Sequence, residues 1–217
     1  MKHLFFLVIL SSLTSISFSQ EKEIEVLHYV FPEFTQGTVL MKNGKINKAK
    51  VNYNSITEEM LFQDRGNVMA IGRDEMKQID TIFISERKFI PLNQKFVELV
   101  IQSDIELFAE YKCKVIPPGK DVGLGGTTET TAVKNVSAIN SSGRLYDLNL
   151  PDDYDVKPYT FYWLKNEGKL KKFTNLKQLM KLYPEKKELF KAYVKQNDLE
   201  YNEQENIVEL INYMESI

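Results

Sequence analysis

Short runs of alternating apolar and polar residues fill the chain from about residue 34 to residue 117. Ala49, Val51 and Tyr53 alternate with Lys48, Lys50 and Asn52. That period of two belongs to a strand with one wet face. The longest such run is Ile105–Ile116, where Ile105, Leu107, Ala109, Tyr111, Cys113 and Val115 share one face and Glu106, Glu110, Lys112 and Lys114 the other. Asn43-Gly44 separates two runs and predicts a hairpin, because both residues tolerate positive φ. Asp64-Arg-Gly-Asn67 and Ser85-Glu-Arg-Lys88 predict two more turns. Gln102-Ser-Asp104 joins Phe96–Ile101 to the long strand. Short strands joined by tight turns predict an antiparallel meander, barrel-like or a small sandwich.

Pro117-Pro118-Gly119 closes that region. Residues 119–143 carry little apolar patterning and are rich in Gly, Ser and Thr, which predicts an irregular loop. Patterning returns in Tyr159–Leu164 and Lys169–Phe173, a hairpin across Asn166-Glu-Gly168. Beyond it the period becomes helical. Asn175 with Gln178 reads as a capping box for a helix carrying Leu176, Leu179 and Met180. Pro184 suits the first turn of a second helix with Leu189, Phe190, Tyr193 and Val194 on its apolar side. Asn202 with Glu205 reads as the cap of a third, on which Ile207, Leu210, Ile211 and Met214 recur. The expected fold is therefore α+β: the meander, then a hairpin and three short helices that cover it.

The first residues follow a different pattern. Lys2, the apolar run Leu4–Leu10 and the small residues ending at Ser19 predict a secretory signal peptide cleaved near Ser19. The apolar run is far shorter than the ~20 residues of a membrane-spanning helix. The expected organisation is residues 1–19 as signal peptide, 20–117 as a β-rich domain, 118–157 as an irregular loop, and 158–217 as hairpin plus helices. Gln20 stands where a lipoprotein needs cysteine, so no lipid anchor is expected. The expected destination is the periplasm or the exterior.

Composition narrows function mainly by exclusion. The 217 residues carry a formal net charge of −2, and no basic excess points to nucleic acid. Cys113 is the single cysteine, which rules out an internal disulfide. On the apolar face of its strand, it is expected to be packed and chemically quiet. His28 is the one histidine after residue 19, so a serine triad or a histidine-rich zinc site has too few residues. Gly123–Thr131 lacks the Lys-Ser/Thr ending of a phosphate loop. Asn149–Asp155 gathers three carboxylates but not the order of a calcium loop. No catalytic residue, metal site or cofactor is expected.

One aromatic strip stands out. Tyr159, Phe161 and Trp163 alternate along a single strand face. They either pack as core against the C-terminal helices, the simpler reading, or stack on a sugar or line a peptide groove.

Several short motifs carry a resemblance. Gly37-Thr-Val-Leu-Met-Lys-Asn-Gly44, Val51-Asn-Tyr-Asn54, Glu59-Met-Leu-Phe62, Phe89 with Phe96-Val-Glu98, Tyr193–Leu199, Glu205–Val208 and Ile211-Asn-Tyr213 resemble a group of uncharacterised exported proteins of Bacteroidota. The resemblance implies export and a β-rich body with a helical tail, and no particular reaction. Together these readings lead to an exported, non-enzymatic binding protein of the cell envelope with a protein or glycan partner. A carboxylate-dependent glycan hydrolase and a small-ligand carrier with a barrel pocket are the alternatives.

Overall fold

The computed structural model describes residues 28–116, 120–121, 127–128 and 154–217. The expected signal peptide (residues 1–19), Gly123–Thr131 apart from residues 127–128, and most of Asn149–Asp155 lie outside them. Of that last segment Tyr154 and Asp155 are described, and Asp155 pairs with Lys157 at 3.4 Å.

Ten strands form one antiparallel sheet. In chain order the larger elements are β1 Thr35–Met41, β2 Ile46–Asn54, β3 Glu59–Asp64, β4 Asn67–Ala70, helix α1 Arg73–Gln78, β5 Ile79–Ile84, β6 Arg87–Leu92, β7 Lys95–Gln102 and β8 Glu106–Ile116. Two-residue strands β9 Lys120–Asp121 and β10 Thr127–Thr128 pair within the stretch expected to be irregular. They are followed by β11 Asp155–Asn166 and β12 Lys169–Phe173. Helices α2 Leu176–Met180, α3 Lys187–Gln196 and α4 Gln204–Ser216 complete the chain.

The sheet order is β12-β11-β8-β7-β6-β5-β1-β2-β3-β4. Two meanders therefore meet where β1 pairs with β5. The expected barrel or sandwich does not form: the sheet is open. It does bend far enough for β3 to touch β7, although β2, β1, β5 and β6 lie between them in the ladder.

The turns explain the register. Arg65-Gly66, Asn93-Gln94 and Glu167-Gly168 all have positive φ at both positions, the twist-matched form for two-residue hairpin loops. At Asn43-Gly44 only Gly44 turns left-handed, at φ 83°. Met41 N–H and Gly44 N–H close a longer loop onto Lys45 and Met41 carbonyls, at 2.8 and 2.9 Å.

Two apolar cores lie along the sheet. Val51, Tyr53, Met60, Ile82, Ile84, Phe89 and Phe96 form one. Leu107, Ala109, Tyr162, Leu164 and Phe173 join the helices in the other through Leu179, Phe190, Ile207, Leu210, Ile211 and Met214. Tyr111 packs against both. The helices cover the sheet as expected, and Asn175 caps α2: its Oδ1 accepts from Gln178 N–H at 2.9 Å. Gln178 Oε1 accepts from Thr174 N–H at 2.9 Å, and not from Asn175 as a full capping box would have it. Asn202 does not cap α4. That helix starts one residue later, with Glu203 in the cap position and no side-chain cap bond.

Ahead of β1, residues 28–34 lie along the far end of β2. Asn52, almost fully buried, holds them: its Oδ1 accepts from Phe31 N–H at 3.1 Å, and its Nδ2 donates to the carbonyls of Phe31 and Glu33 at 2.8 and 3.2 Å. His28 is buried, and its carbonyl accepts from Ser55 N–H and Oγ.

Candidate binding face on strands β8, β11 and β12

Successive residues of a strand face opposite sides, and β11 uses both. Tyr162 and Leu164 enter the core under the helices. Tyr159, Phe161 and Trp163 take the other face, so the reading of these three as core against the helices is overturned. Tyr159 is 41 % exposed, while Phe161 and Trp163 are half-buried.

Register decides what surrounds the rings. Tyr159 lies opposite Lys112, Phe161 opposite Glu110, and Trp163 between Phe108 and Lys172. Glu110 sits at the centre with its side chain only 6 % exposed. Its carboxylate accepts from Trp163 Nε1 at 2.8 Å and pairs with Lys112 at 3.2 Å and with Lys95 and Lys172 at 3.3 Å. Lys172 Nζ stands 4.1 Å from the Phe161 ring centroid and 5.1 Å from that of Trp163, a cation–π arrangement on both rings.

A remote turn completes the cluster. Glu58, between β2 and β3, adopts φ 59° and pairs with both Lys95 and Lys112. The left-handed conformation costs a non-glycine residue about 1–2 kcal/mol. In exchange the turn is tied to β7 and β8, bridging the open side of the bent sheet without backbone ladder bonds.

The electrostatics suit binding better than proton transfer. Burial alone raises the Glu110 pKa, but the Trp163 hydrogen bond and the Lys112 and Lys172 charges outweigh it and hold the carboxyl at about 2. A general acid at neutral pH needs the opposite shift. For Lys112 burial favours the neutral amine, yet the hydrogen bond and charge of Glu58 and Glu110 raise its pKa and keep it cationic. Lysines that act as nucleophiles or bases are shifted downward.

A second polar cluster lies on the opposite face. Arg87 donates to both oxygens of Glu98 at 2.9 and 2.7 Å and to Tyr111 Oη at 2.7 Å. Its guanidinium lies 4.8, 5.5 and 5.2 Å from the ring centroids of Phe31, Phe89 and Tyr111. Tyr111 also bonds to Glu98 and meets the Gln204 side chain at 2.8 Å. This cluster joins the two cores to α4, and its donors and acceptors are used internally.

The other candidates fall away from the face. Cys113 is half-buried rather than fully packed, and burial pushes its thiol up to about 11. It is protonated at neutral pH and a poor nucleophile. Burial lowers the His28 pKa. Among the described residues no group of three or more His, Cys, Asp or Glu is arranged to hold a metal ion, and no helix is long and apolar enough to cross a membrane.

Sequence reading found the three aromatic residues but missed Glu58, Lys95 and Lys172. Nothing local marks them, since sheet register and a distant turn bring them together. Comparison with known proteins finds no matching family model, no matching curated sequence and no matching solved structure.

Proposed function

We propose that the chain is an exported, non-enzymatic binding protein of the cell envelope that holds an acidic glycan against the face formed by β8, β11 and β12. The observation that carries this reading is the row Tyr159, Phe161 and Trp163 on the face the helices leave uncovered, with Lys95, Lys112 and Lys172 beside it. Aromatic edges and faces pack against sugar rings, and ammonium groups held in place by Glu58 and Glu110 retain donors for a carboxylate or sulfate. The low pKa of Glu110 supports binding over hydrolysis. The Phe31, Tyr53, Phe89 and Phe96 side chains that fill the bent sheet's core weigh against a carrier pocket there. The leader-like sequence at residues 1–19 supports an extracytoplasmic setting.

Titration with alginate, an acidic polysaccharide, and with neutral dextran tests the proposal. Saturable alginate binding that weakens at least tenfold in Tyr159→Ala, with unchanged melting temperature, is expected. Equal retention of both polymers, no retention of alginate, or an unaffected Tyr159→Ala variant would overturn it.

A further inference from the structure

Charge is unevenly divided among the C-terminal helices. From Asp198 to the end the chain carries six acidic residues and no lysine or arginine, whereas α2, α3 and their connection are rich in lysine. On α3, Lys187, Lys191 and Lys195 recur every four residues, which stacks three like charges along one edge of the helix. Lys177 and Lys181 repeat the spacing along α2 and its end. The acidic α4 does not neutralise this ridge: among the described residues, no ion pair joins a lysine of α2 or α3 to a carboxylate of α4. Glu209 and Glu215 accept instead from the hydroxyls of Tyr193 and Tyr183, at 2.6 and 2.8 Å. Lys191 pairs with Glu188 on its own helix, while Lys177 and Lys195 have no carboxylate within ion-pair distance among the described residues.

Between the two lysine edges runs an apolar groove of about 250 Å³. Leu176 and Met180 line one side and Phe190 and Val194 the other, with Lys177, Lys191 and Lys195 at the rim. Phe190 is buried, whereas Leu176, Met180 and Val194 are half-buried. An apolar floor rimmed by cations selects for apolar anchors flanked by carboxylates. Helix-in-groove recognition presents that pattern as anchors spaced three or four residues apart.

We infer that the groove between α2 and α3 docks an acidic amphipathic segment of another polypeptide, with an aliphatic anchor over Phe190 and carboxylates against Lys177, Lys191 and Lys195. This surface is separate from the β8–β11–β12 face, so neither reading depends on the other. Like-charge repulsion along α3 falls when the partner arrives, and the half-buried Leu176, Met180 and Val194 side chains lose their contact with water.

The probe is a fluorescein-labelled helical peptide of Glu and Leu with the leucines at positions i, i+3, i+4 and i+7, titrated with the full chain and followed by anisotropy. Saturable binding is expected. It should weaken at least tenfold in Lys191→Glu/Lys195→Glu and in Val194→Asp, with the far-ultraviolet circular dichroism of the unmodified protein. The Lys191→Glu/Lys195→Glu variant should in turn bind the matching Lys/Leu peptide better than the unmodified protein does. Equal binding of a control peptide with serine in place of leucine would overturn the inference, because charge alone would then explain the contact. So would binding to phosphatidylglycerol vesicles without peptide binding. Self-association in sedimentation velocity that Lys191→Glu/Lys195→Glu abolishes, without peptide binding, would reassign the groove to a second copy of this chain. Tyr159→Ala should leave peptide binding unchanged, which keeps this test apart from that of the glycan face.

Discussion

Replacing Glu110 by Gln removes one charge from the centre of the β8–β11–β12 face and nearly preserves shape. The amide oxygen can still accept from Trp163 Nε1, but the pairs with Lys95, Lys112 and Lys172 are lost. The carboxyl is displaced from an ordinary 4.5 to about 2. At about 1.4 kcal/mol per pKa unit this corresponds to about 3 kcal/mol of stability. Lys95 and Lys172 are 37 % and 33 % exposed, and solvent screening reduces their share. The expected loss for Glu110→Gln at pH 7 is therefore about 2 kcal/mol, within the usual range for charge-assisted hydrogen bonds. Urea unfolding followed through Trp163, the single tryptophan, gives the value directly. The pH dependence has a definite sign. Because the folded pKa lies below the unfolded one, the unfolded chain binds the proton first. The stabilisation is complete above about 4.5 and disappears as pH falls through about 2. The stability gap between the two proteins should close over that window, even though other carboxylates titrate in both. A gap below about 0.5 kcal/mol at pH 7, or one that stays constant down to pH 2.5, would refute this account.

Three further substitutions probe the frame that carries the face. Asn52→Ala strips the buried bonds to Phe31 and Glu33 and should cost about 2–3 kcal/mol, with faster hydrogen exchange at the Val30 and Phe31 amides. Tyr53→Phe should instead raise stability by about 1 kcal/mol in the same urea assay, since Tyr53 Oη is buried with no hydrogen-bond partner among the described residues. Loss of stability would show that the hydroxyl is satisfied. Gly37→Ala should cost about 1–3 kcal/mol by thermal melting, because a methyl there meets the buried Val51 side chain and lies 3.0 Å from the Phe83 carbonyl oxygen.

Legibility followed the range of the interaction. The hairpin at Asn166-Glu-Gly168 and the Asn175 cap of α2 depend on neighbours a few residues apart, and both are plain in the sequence. Helix α1 was not, since its six residues bury no side chain and leave no apolar period. The start of α4 slipped by one residue because the capping pattern at Asn202 could be read without knowing where the chain leaves α3.

The sequence by itself determined the antiparallel hairpins, the helical tail and the alternation that puts Tyr159, Phe161 and Trp163 on one side of a strand. Period-two alternation says which residues share a face but not which face the helices will cover. Only the tertiary structure decided that: α2–α4 cover Tyr162 and Leu164 and leave the other three rings outside. It also kept the sheet open, with a bent β2–β3 turn carrying Glu58 to Lys95 and Lys112. Those contacts join residues 37 and 54 positions apart. Such pairings are set by how many strands bend together, and no local stretch of the chain encodes them.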